Sequence, residues 1–192
     1  MNRHVPTDDV TASQYLAELI RKNGPVTLAE YMEVANARYY GRSDPLGSKG
    51  DFVTAPEISQ LFGEMIGLWL TDIWVRTGRR PDMHYVELGP GRATLAMDAL
   101  RVMRRFGLEP AVHFVETSAA LRKVQAARIP HVQFHDDIST LPECGPLFVV
   151  ANEFFDALPV RQFVRTAWGW REFLVTYEEG RFLKIAGEES AD

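Results

Sequence analysis

A glycine-rich turn between an apolar strand and a helix constrains this chain more than any other feature. The strand is predicted at His84–Leu88, and a helix is predicted from about Thr94 to Phe106. Gly89 and Gly91 lie between them, and glycine lets the backbone turn sharply and approach a ligand closely. The start of the helix also leaves backbone N–H groups free to bind. The stretch therefore predicts a ligand-binding loop at the end of a strand.

Two common phosphate-binding loops do not fit this turn. A dinucleotide fingerprint would place a third glycine where this chain has Thr94, and a P-loop would continue with Gly-Lys-Ser or Gly-Lys-Thr. With its acidic strand end, the turn resembles the first motif of class I S-adenosylmethionine (SAM) methyltransferases, Glu-x-Gly-x-Gly. The resemblance implies that Glu87 faces the positively charged methionine end of SAM. The loop residues it assigns to cofactor binding are Gly89, Pro90, Gly91 and Arg92. A tight turn without a ligand is the alternative.

The chain after the turn alternates strands with helices. Further strands are predicted at Ala111–Val115, Val132–Phe134 and Leu147–Val150, with a helix over Ala119–Ala127. The continuous apolar run of Leu147–Val150 is typical of a buried parallel strand. This alternation predicts an α/β fold with a doubly wound, mostly parallel sheet that binds its ligand at the carboxyl ends of the strands.

The segment before the turn, residues 1–80, is predicted to be a helical N-terminal extension. Thr27–Glu30 and Thr54–Glu57 have the form of capping boxes, and each predicts the start of a helix. The second of these helices is predicted to be long and to pack in the core through an apolar stripe: Ile58, Leu61, Phe62, Met65, Trp69 and Ile73. A glycine-rich loop over about residues 40–56 separates the two helices. Because long loops in compact domains are usually functional or disordered, we expect a lid there.

Residues 81–160 are predicted to form the Rossmann-like, SAM-binding core, and the pattern changes after them. In residues 161–192, short antiparallel strands are predicted at Gln162–Thr166, Arg171–Tyr177 and Arg181–Ile185. The polar, acidic end Gly187–Asp192 is predicted to be disordered. Since only four parallel strands are predicted, the core sheet should be incomplete, and its open edge favours self-association.

Acidic residues follow the predicted strands at the edge where the glycine turn also lies. Glu116 and Thr117 follow the second strand, where a carboxylate can accept hydrogen bonds from both hydroxyls of a ribose. Asp136, Asp137 and Ile138 follow the third, where an acid can accept a hydrogen bond from an adenine amino group. Each acid alone is equally explained by a helix cap or a turn. Acid at the end of every successive strand favours a nucleoside-binding edge.

Composition and charge narrow the location and the partners. With 26 acidic and 21 basic residues the net charge is −5, which argues against a nucleic-acid partner. The single cysteine, Cys144, excludes an internal disulfide framework and fits a reducing compartment. There is no apolar run of a length that predicts a membrane span, and the start lacks the apolar core of a signal peptide. His113, His131 and His135 have no matching ligands, so no metal site is predicted.

Several longer blocks resemble one family. They are Tyr39–Gly47, Gly50–Ser59, Glu87–Arg92, Val115–Ser118 and Ala151–Val160. Through them the chain, from about Tyr15 to Phe163, resembles the MidA-like methyltransferases, which include a mitochondrial complex I assembly factor that methylates a protein arginine. Two departures stand out. Ala93 replaces a third glycine of the loop, where its methyl group is expected to crowd the cofactor, and family members are about twice as long, which predicts a fragment or a truncated homologue.

The resemblance implies methyl transfer from SAM to an arginine of a protein substrate, such as a respiratory complex I subunit. A guanidinium is always charged near neutral pH, and carboxylates can hold it in a fork that orients one nitrogen. The residues implied for this task follow the fourth strand: Glu153 and Asp156 as the carboxylates, and Asn152 as a polar orienting group. The lid residues expected to exclude water and meet the substrate are Tyr39, Arg42, Phe52 and Thr54.

Other functions remain open from the sequence. A non-catalytic assembly or binding module of the same fold is the main alternative, because the predicted sheet is incomplete. A nucleic-acid N-methyltransferase ranks lower, since Asn152–Phe155 lacks both prolines of the Asn-Pro-Pro-aromatic motif of base-flipping enzymes. A dehydrogenase ranks last, for want of the third glycine. The expected location is the cytoplasm of a bacterium, or the mitochondrial matrix in a eukaryote.

Overall fold

The computed structural model describes residues 11–42 and 54–190, which fall into two compact units. The described residues of Asp44–Phe155 form what we call the core unit, and those of Met1–Ser43 and Asp156–Asp192 form the second unit. The predicted boundaries at residues 80 and 160 differ from this division. The helices just before residue 80 pack in the core unit, whereas an earlier strand pairs with the C-terminal strands.

The core unit contains a parallel four-stranded sheet in the order β4-β3-β2-β5. The strands are β2 at His84–Leu88, β3 at Ala111–Val115, β4 at Gln133–His135 and β5 at Leu147–Val150. The predicted α/β fold with a mostly parallel sheet is confirmed, and β4 is shifted by one residue. Because β3 and β4 lie on one side of β2 and β5 lies on the other, the strand order reverses at β2. In open α/β sheets this switch point is where ligands bind.

The core unit also contains four described helices. They are α3 at Ala55–Ile58, α4 at Gln60–Arg76, α5 at Thr94–Arg105 and α6 at Ala119–Arg128. The core combines side chains from the strands and helices, among them Tyr85, Phe114, Phe148, Trp74 and Met103. Glycine lets α4 approach α5 closely, since a Cβ on Gly67 would lie only 2.5 Å from the carbonyl oxygen of Ala99.

Helix α4 does not begin at the predicted capping box. Thr54 caps the separate helix α3, and its side chain makes no capping hydrogen bond within the described residues. Glu57, the other member of the predicted box, instead accepts a hydrogen bond from Thr94 Oγ1 at 2.6 Å. Ser59 interrupts the helical path with extended backbone (φ −146°, ψ 122°), and its hydroxyl caps α4. The predicted single long helix is therefore two helices.

The apolar stripe predicted to pack in the core is largely exposed, so this prediction is wrong. The exposed fractions are 72% for Ile58, 60% for Leu61, 56% for Met65 and 60% for Trp69. Of the six predicted residues, Phe62 and Ile73 are partly buried against the core. α4 is apolar on more than one face, and it buries the face that contains Gly67, Leu70 and Trp74. Helical spacing detects apolar faces but not which of them is covered.

The second unit combines two helices with an antiparallel sheet. Its elements are α1 at Ala12–Asn23, β1 at Val26–Thr27, α2 at Leu28–Arg42, β6 at Phe163–Thr166, β7 at Gly169–Glu178 and β8 at Arg181–Ser190. Strand β7 pairs with β1, β6 and β8. The first predicted capping box does form, because Thr27 N–H donates to Glu30 Oε2 (3.0 Å) and Glu30 N–H donates to Thr27 Oγ1 (3.1 Å). The short strand β1 lies within the N-terminal extension, for which helices and a glycine-rich loop but no strand were predicted.

The C-terminal tail was predicted to be disordered, and this is wrong for residues 187–190, which continue β8. Earlier, more apolar residues of β8 pair with β7, as Ile185 does with Leu174. This pairing fixes the direction of the strand, which then continues through the polar residues that follow. Residues 191–192 lie outside the described residues. Within residues 11–42 and 54–190, every helix is too short or too polar to cross a lipid bilayer.

Candidate functional site

The candidate site lies at the carboxyl end of β2, where the strand order reverses. Gly89, Gly91 and Ala93 follow β2 with positive φ angles of 60°, 54° and 61°. This conformation is easy for glycine and strained for other residues, which explains the two glycines of the loop. The loop is held at its far end by Arg128, whose Nη1 donates to the carbonyl oxygen of Arg92 at 2.9 Å. The predicted glycine loop is thus a fixed turn that leads into α5.

Ala93 is the third residue of the loop with a left-handed backbone conformation, after Gly89 and Gly91. It is fully buried and belongs to the hydrophobic core. Its N–H donates to the carbonyl oxygen of Pro90 at 2.7 Å, which closes the turn. Because the methyl group is enclosed by the core, the structure argues against the predicted crowding of the cofactor. Its cost is backbone strain, since alanine lacks the conformational freedom of glycine.

The segment after β5 reaches the glycine loop, as the strand order predicts. A Cβ placed on Gly89 would lie 2.6 Å from ring carbon Cδ2 of Phe154, so this ring rests directly on the loop backbone. Phe154 also packs edge-on against the exposed Phe155, with ring centroids 5.5 Å apart. Glu153 has a φ of 47°, and backbone strain of this kind clusters at functional sites. Phe154 therefore forms a wall beside the loop.

The residues predicted to hold the substrate are divided between the two units. Asn152 is half-buried and Glu153 is exposed, and both lie in the core unit. Asp156 begins the second unit and is exposed within a short 3-10 turn at Phe155–Ala157.

The predicted lid is described only in part. Tyr39 and Arg42 belong to α2, which continues through residues 40–42, where the loop was predicted to begin. Thr54 is half-buried at the start of α3. Phe52 and the rest of the loop lie outside the described residues. The lid therefore remains a prediction.

Glu87 is a buried carboxyl group at the end of β2. Its side chain is only 3% exposed, and Oε2 accepts a hydrogen bond from the hydroxyl of Tyr85 at 2.7 Å. Burial raises the pKa of Glu87 to about 8, although the hydrogen bond from Tyr85 opposes this shift. A cation beside the carboxyl group would favour its charged form and relieve the cost of burying it.

Glu116 and Gln125 connect the end of β3 to the glycine loop. Glu116 Oε1 accepts a hydrogen bond from the backbone N–H of Ser118 at 2.8 Å. Its Oε2 lies 3.3 Å from Nε2 of Gln125, which donates to it. The same Nε2 donates to the carbonyl oxygen of Gly91 at 2.7 Å. Glu116 does not cap α6, because the side chain of Ser118 does so, and Thr117 between them is exposed. Sequence reasoning missed Gln125. The one available signal was a polar residue in the helix that follows the candidate acid Glu116.

The predicted adenine-binding residues follow β4, and each of them has a different environment in the structure. Asp136 forms an ion pair with Arg122 at 2.7 Å. Asp137 Oδ1 accepts the N–H of Ser139 and so caps a 3-10 turn, which lowers the pKa of Asp137. Ile138 is 62% exposed beside them. The turn interpretation therefore holds for Asp137, while the exposed Ile138 offers an apolar surface at this edge.

A chain of three histidines, also missed from the sequence, links the neighbouring strands β2, β3 and β4. Nδ1 of His84 lies 2.9 Å from Nε2 of His113, and Nδ1 of His113 lies 3.0 Å from Nε2 of His135. Nδ1 of His135 is 2.9 Å from Thr140 Oγ1, whose own proton goes to the carbonyl oxygen of Asp137. Thr140 must then accept from His135, so each imidazole donates through Nδ1. Across the described residues, no group of three or more His, Cys, Asp or Glu side chains could hold a metal ion.

A shallow cleft of about 370 Å³ lies beside helices α3 and α4. It is lined by Ala55, Ile58, Ser59, Leu61, Phe62 and Met65. These side chains offer few groups that could recognise the hydroxyls and amino groups of a nucleoside. The strand ends, which carry carboxyl groups and backbone donors, fit such a ligand better than the cleft.

The residues at the strand ends fit the chemistry of SAM. The buried carboxyl group of Glu87 suits a cationic methionine end, and Glu116 has lone pairs left for a ribose after its two bonds. The missing side chain at Gly89 makes room for the Phe154 ring, which walls the loop on this side. A switch point with a glycine loop and acids at successive strand ends defines the class of Rossmann-like, SAM-binding methyltransferases.

Comparisons with known proteins agree with this class. The sequence model of a family of S-adenosyl-L-methionine-dependent methyltransferases matches residues 65–191. The mitochondrial protein arginine methyltransferase NDUFAF7 is 37% identical in both Mus musculus and Homo sapiens, over 84% of this chain and 44% of each relative. A Burkholderia thailandensis protein, whose crystal structure contains bound S-adenosyl-homocysteine, is 27% identical. Its TM-score is 0.71, over 94% of this chain and 50% of that one.

The chain belongs to the MidA-like family of SAM-dependent methyltransferases, as the sequence motifs predicted. It spans about half the length of the NDUFAF7 relatives and of the Burkholderia thailandensis protein.

Proposed function

We propose that this protein transfers a methyl group from SAM to an arginine side chain of a protein substrate. The observation that carries the proposal is the pairing of a glycine loop with a buried acid, Glu87, at the switch point of the sheet. The choice of arginine rests on the named activity of the NDUFAF7 relatives. Because the chain covers only 44% of those relatives, the activity of the whole protein is part of this proposal.

Four groups of residues would hold the cofactor. Glu87 would face its cationic methionine end, and the loop from Gly89 to Arg92 would approach it through the backbone. Glu116 would accept hydrogen bonds from the ribose hydroxyls, supported by Thr117 at the same strand end. The last group, Asp136, Asp137 and Ile138, would flank the adenine. SAM supplies a methyl group on a cationic sulfur, which a nucleophile displaces in line, so the protein contributes mainly position and alignment.

The residues after β5 would position the substrate. Glu153 is exposed beside the wall formed by Phe154, and a charged guanidinium would bind its carboxylate. Asn152 would orient a nitrogen of that guanidinium, and Asp156 would supply a second carboxylate. We place Tyr39, Arg42, Phe52 and Thr54 in a lid that excludes water.

A non-catalytic assembly module of the same fold is the second candidate function. It is favoured by the exposure of Leu147 (36%) and Val149 (55%) on β5, which is an edge strand among the described residues. Such an edge is a template for pairing with another chain, so we also propose self-association through β5. A respiratory complex I subunit is the proposed substrate or partner. The relatives are mitochondrial, which fits our expectation of the matrix for a eukaryotic chain and lends no support to a cytoplasmic location.

Calorimetric titration with SAM and with S-adenosylhomocysteine tests the cofactor part of the proposal. We expect both compounds to bind one site, and the failure of both to bind would contradict the site assignment. Transfer of labelled methyl groups to a protein carrying accessible arginines, followed by mass spectrometry of the modified residue, separates the enzyme from the assembly module. Cofactor binding with no transfer to arginine would favour the module.

A further inference from the structure

We infer that Gln125 is a positioning residue that ties the glycine loop to the ribose-binding acid Glu116. The inference rests on the proposed function, because it concerns how the SAM site is held in shape. Gln125 lies in α6, outside every motif that identifies the family, and its side chain is fully buried.

The single amide nitrogen of Gln125 serves both halves of the site. Its two hydrogens point to two acceptors, the carbonyl oxygen of Gly91 at 2.7 Å and Oε2 of Glu116 at 3.3 Å. An amide has two N–H donors, so this arrangement uses both of them. The glycine loop and the acid after β3 belong to different strand ends, and Gln125 bonds to both of them.

The other end of the amide shows that this orientation is imposed by the site. Oε1 of Gln125 is buried and has no hydrogen-bond partner among the described residues. Turning the amide over would bring Oε1 against two acceptors, so the assignment follows from the network. A buried acceptor without a partner costs free energy. We expect such a cost at a position where the two N–H donors of the amide are needed, because an apolar side chain would otherwise pack there without it.

The consequence for ligand binding is specific. Glu116 Oε1 is already fixed by the N–H of Ser118, and Gln125 fixes the direction of the second oxygen. A carboxylate held at both oxygens presents its remaining lone pairs in a set direction. Gln125 should therefore act on the recognition of ribose hydroxyls, which it does not itself touch.

The test compares S-adenosylhomocysteine with its 2′-deoxy counterpart, and measures both affinities by calorimetry. Wild-type protein should prefer the compound with the full ribose, and Glu116→Ala should remove this preference. Gln125→Met keeps the length of the side chain without its donors. We expect it to weaken binding of S-adenosylhomocysteine at least about tenfold, and of the deoxy compound less than about threefold. Lys123→Met is the control, since it places the same side chain on the exposed part of α6.

The possible results separate this inference from the proposed function. Equal losses for both compounds in Gln125→Met, or no loss, overturn the role of Gln125 while the cofactor site stands. If the wild type binds neither compound, or Glu116→Ala keeps the preference, the site assignment fails and this inference fails with it. If Gln125→Met does not fold, Gln125→Glu is the second variant, because it replaces donors by an acceptor at the same size. Its preference for the ribose should be lost at pH 8 and partly recovered at lower pH, where the new carboxyl group regains a proton, and no such recovery would overturn the inference.

Discussion

The hydroxyl of Tyr85 donates a 2.7 Å hydrogen bond to Oε2 of Glu87, and both side chains of this β2 pair are buried. Tyr85 is fully enclosed, and burial raises the pKa of its hydroxyl well above 10. It thus remains a donor at any ordinary pH. The pair holds the carboxyl group of Glu87 at the switch point, yet one hydrogen bond does not offset the burial of a charge.

Glu87→Gln should stabilise the ligand-free protein at high pH. The folded pKa of Glu87, about 8, lies above the unfolded value of 4.5, so the folded state binds more protons between these values. Burial of Glu87 therefore lowers the free energy of unfolding little below pH 4.5. The destabilisation grows as the pH rises and reaches its full size above pH 8. We expect the variant to gain roughly 2–4 kcal/mol relative to wild type between pH 5 and 9. Urea unfolding at both pH values measures this, with the exposed Glu109→Gln as control. A constant difference between wild type and Glu87→Gln would contradict it.

Glu116→Ala and Glu153→Gln should separate cofactor binding from methyl transfer. Glu116→Ala removes two hydrogen bonds to a charged acceptor, each worth roughly 1.5–3 kcal/mol, so SAM affinity should fall at least about tenfold. Glu153→Gln keeps the size of the side chain and removes its charge, so SAM should still bind while transfer to arginine collapses. Calorimetry and a labelled-methyl assay of the full-length protein measure the two effects. Loss of SAM binding in Glu153→Gln, or intact transfer, would show that the segment after β5 is not the catalytic loop.

His113 should make the core unit sensitive to acid. Burial first, and then the neighbours His84 and His135, lower its pKa to about 4 from an ordinary 6.5. Between these values the unfolded state binds the extra proton, so the stability present above pH 6.5 is lost as the pH falls through 4. We expect His113→Gln to remove up to roughly 3 kcal/mol of this pH dependence. Unfolding curves at pH 7.5 and 4.5 test it, and the exposed His131→Gln should retain the wild-type dependence.

Val149→Lys should reduce self-association of this chain. Val149 is 55% exposed on β5, whose described partner is β2 alone. A lysine on an edge strand opposes pairing with another strand, because its charge would have to be buried. Sedimentation velocity across a concentration series should show association of the wild type and a more monomeric Val149→Lys. Val124→Lys, at an exposed position on α6, serves as the matched control. A wild type that sediments as a monomer at every concentration would refute the proposed association.

Several elements were predictable from the sequence because their causes are local. Strands β2, β3 and β5 begin and end at the predicted residues, since a short apolar run bounded by turn residues defines a buried strand. The glycine loop is equally local, because the chain must turn between β2 and α5. The acids after these strands then share one edge simply because parallel strands end together.

Tertiary packing decided what such local signals could not. Glu57, predicted to belong to a capping box, bonds to Thr94 from 37 positions away. Gln125 bonds to Gly91 from 34 positions away. The residues around Gln125 and around Gly91 do not predict this contact. Leu61 and Trp69 have the spacing of core residues and remain exposed, since α4 presents its small residues to α5 instead.

Residue type and spacing thus predicted the class of fold, and the resemblance of longer motifs indicated the family and the strand ends where we propose that the cofactor binds. Which apolar face is buried, and which side chain supports Glu116, follow from contacts between segments distant in the chain. Such contacts depend on the shape of the packed interior, where a few tenths of an ångström separate a close fit from a clash. Periodicity and propensity act over a few residues and therefore carry no information about that fit.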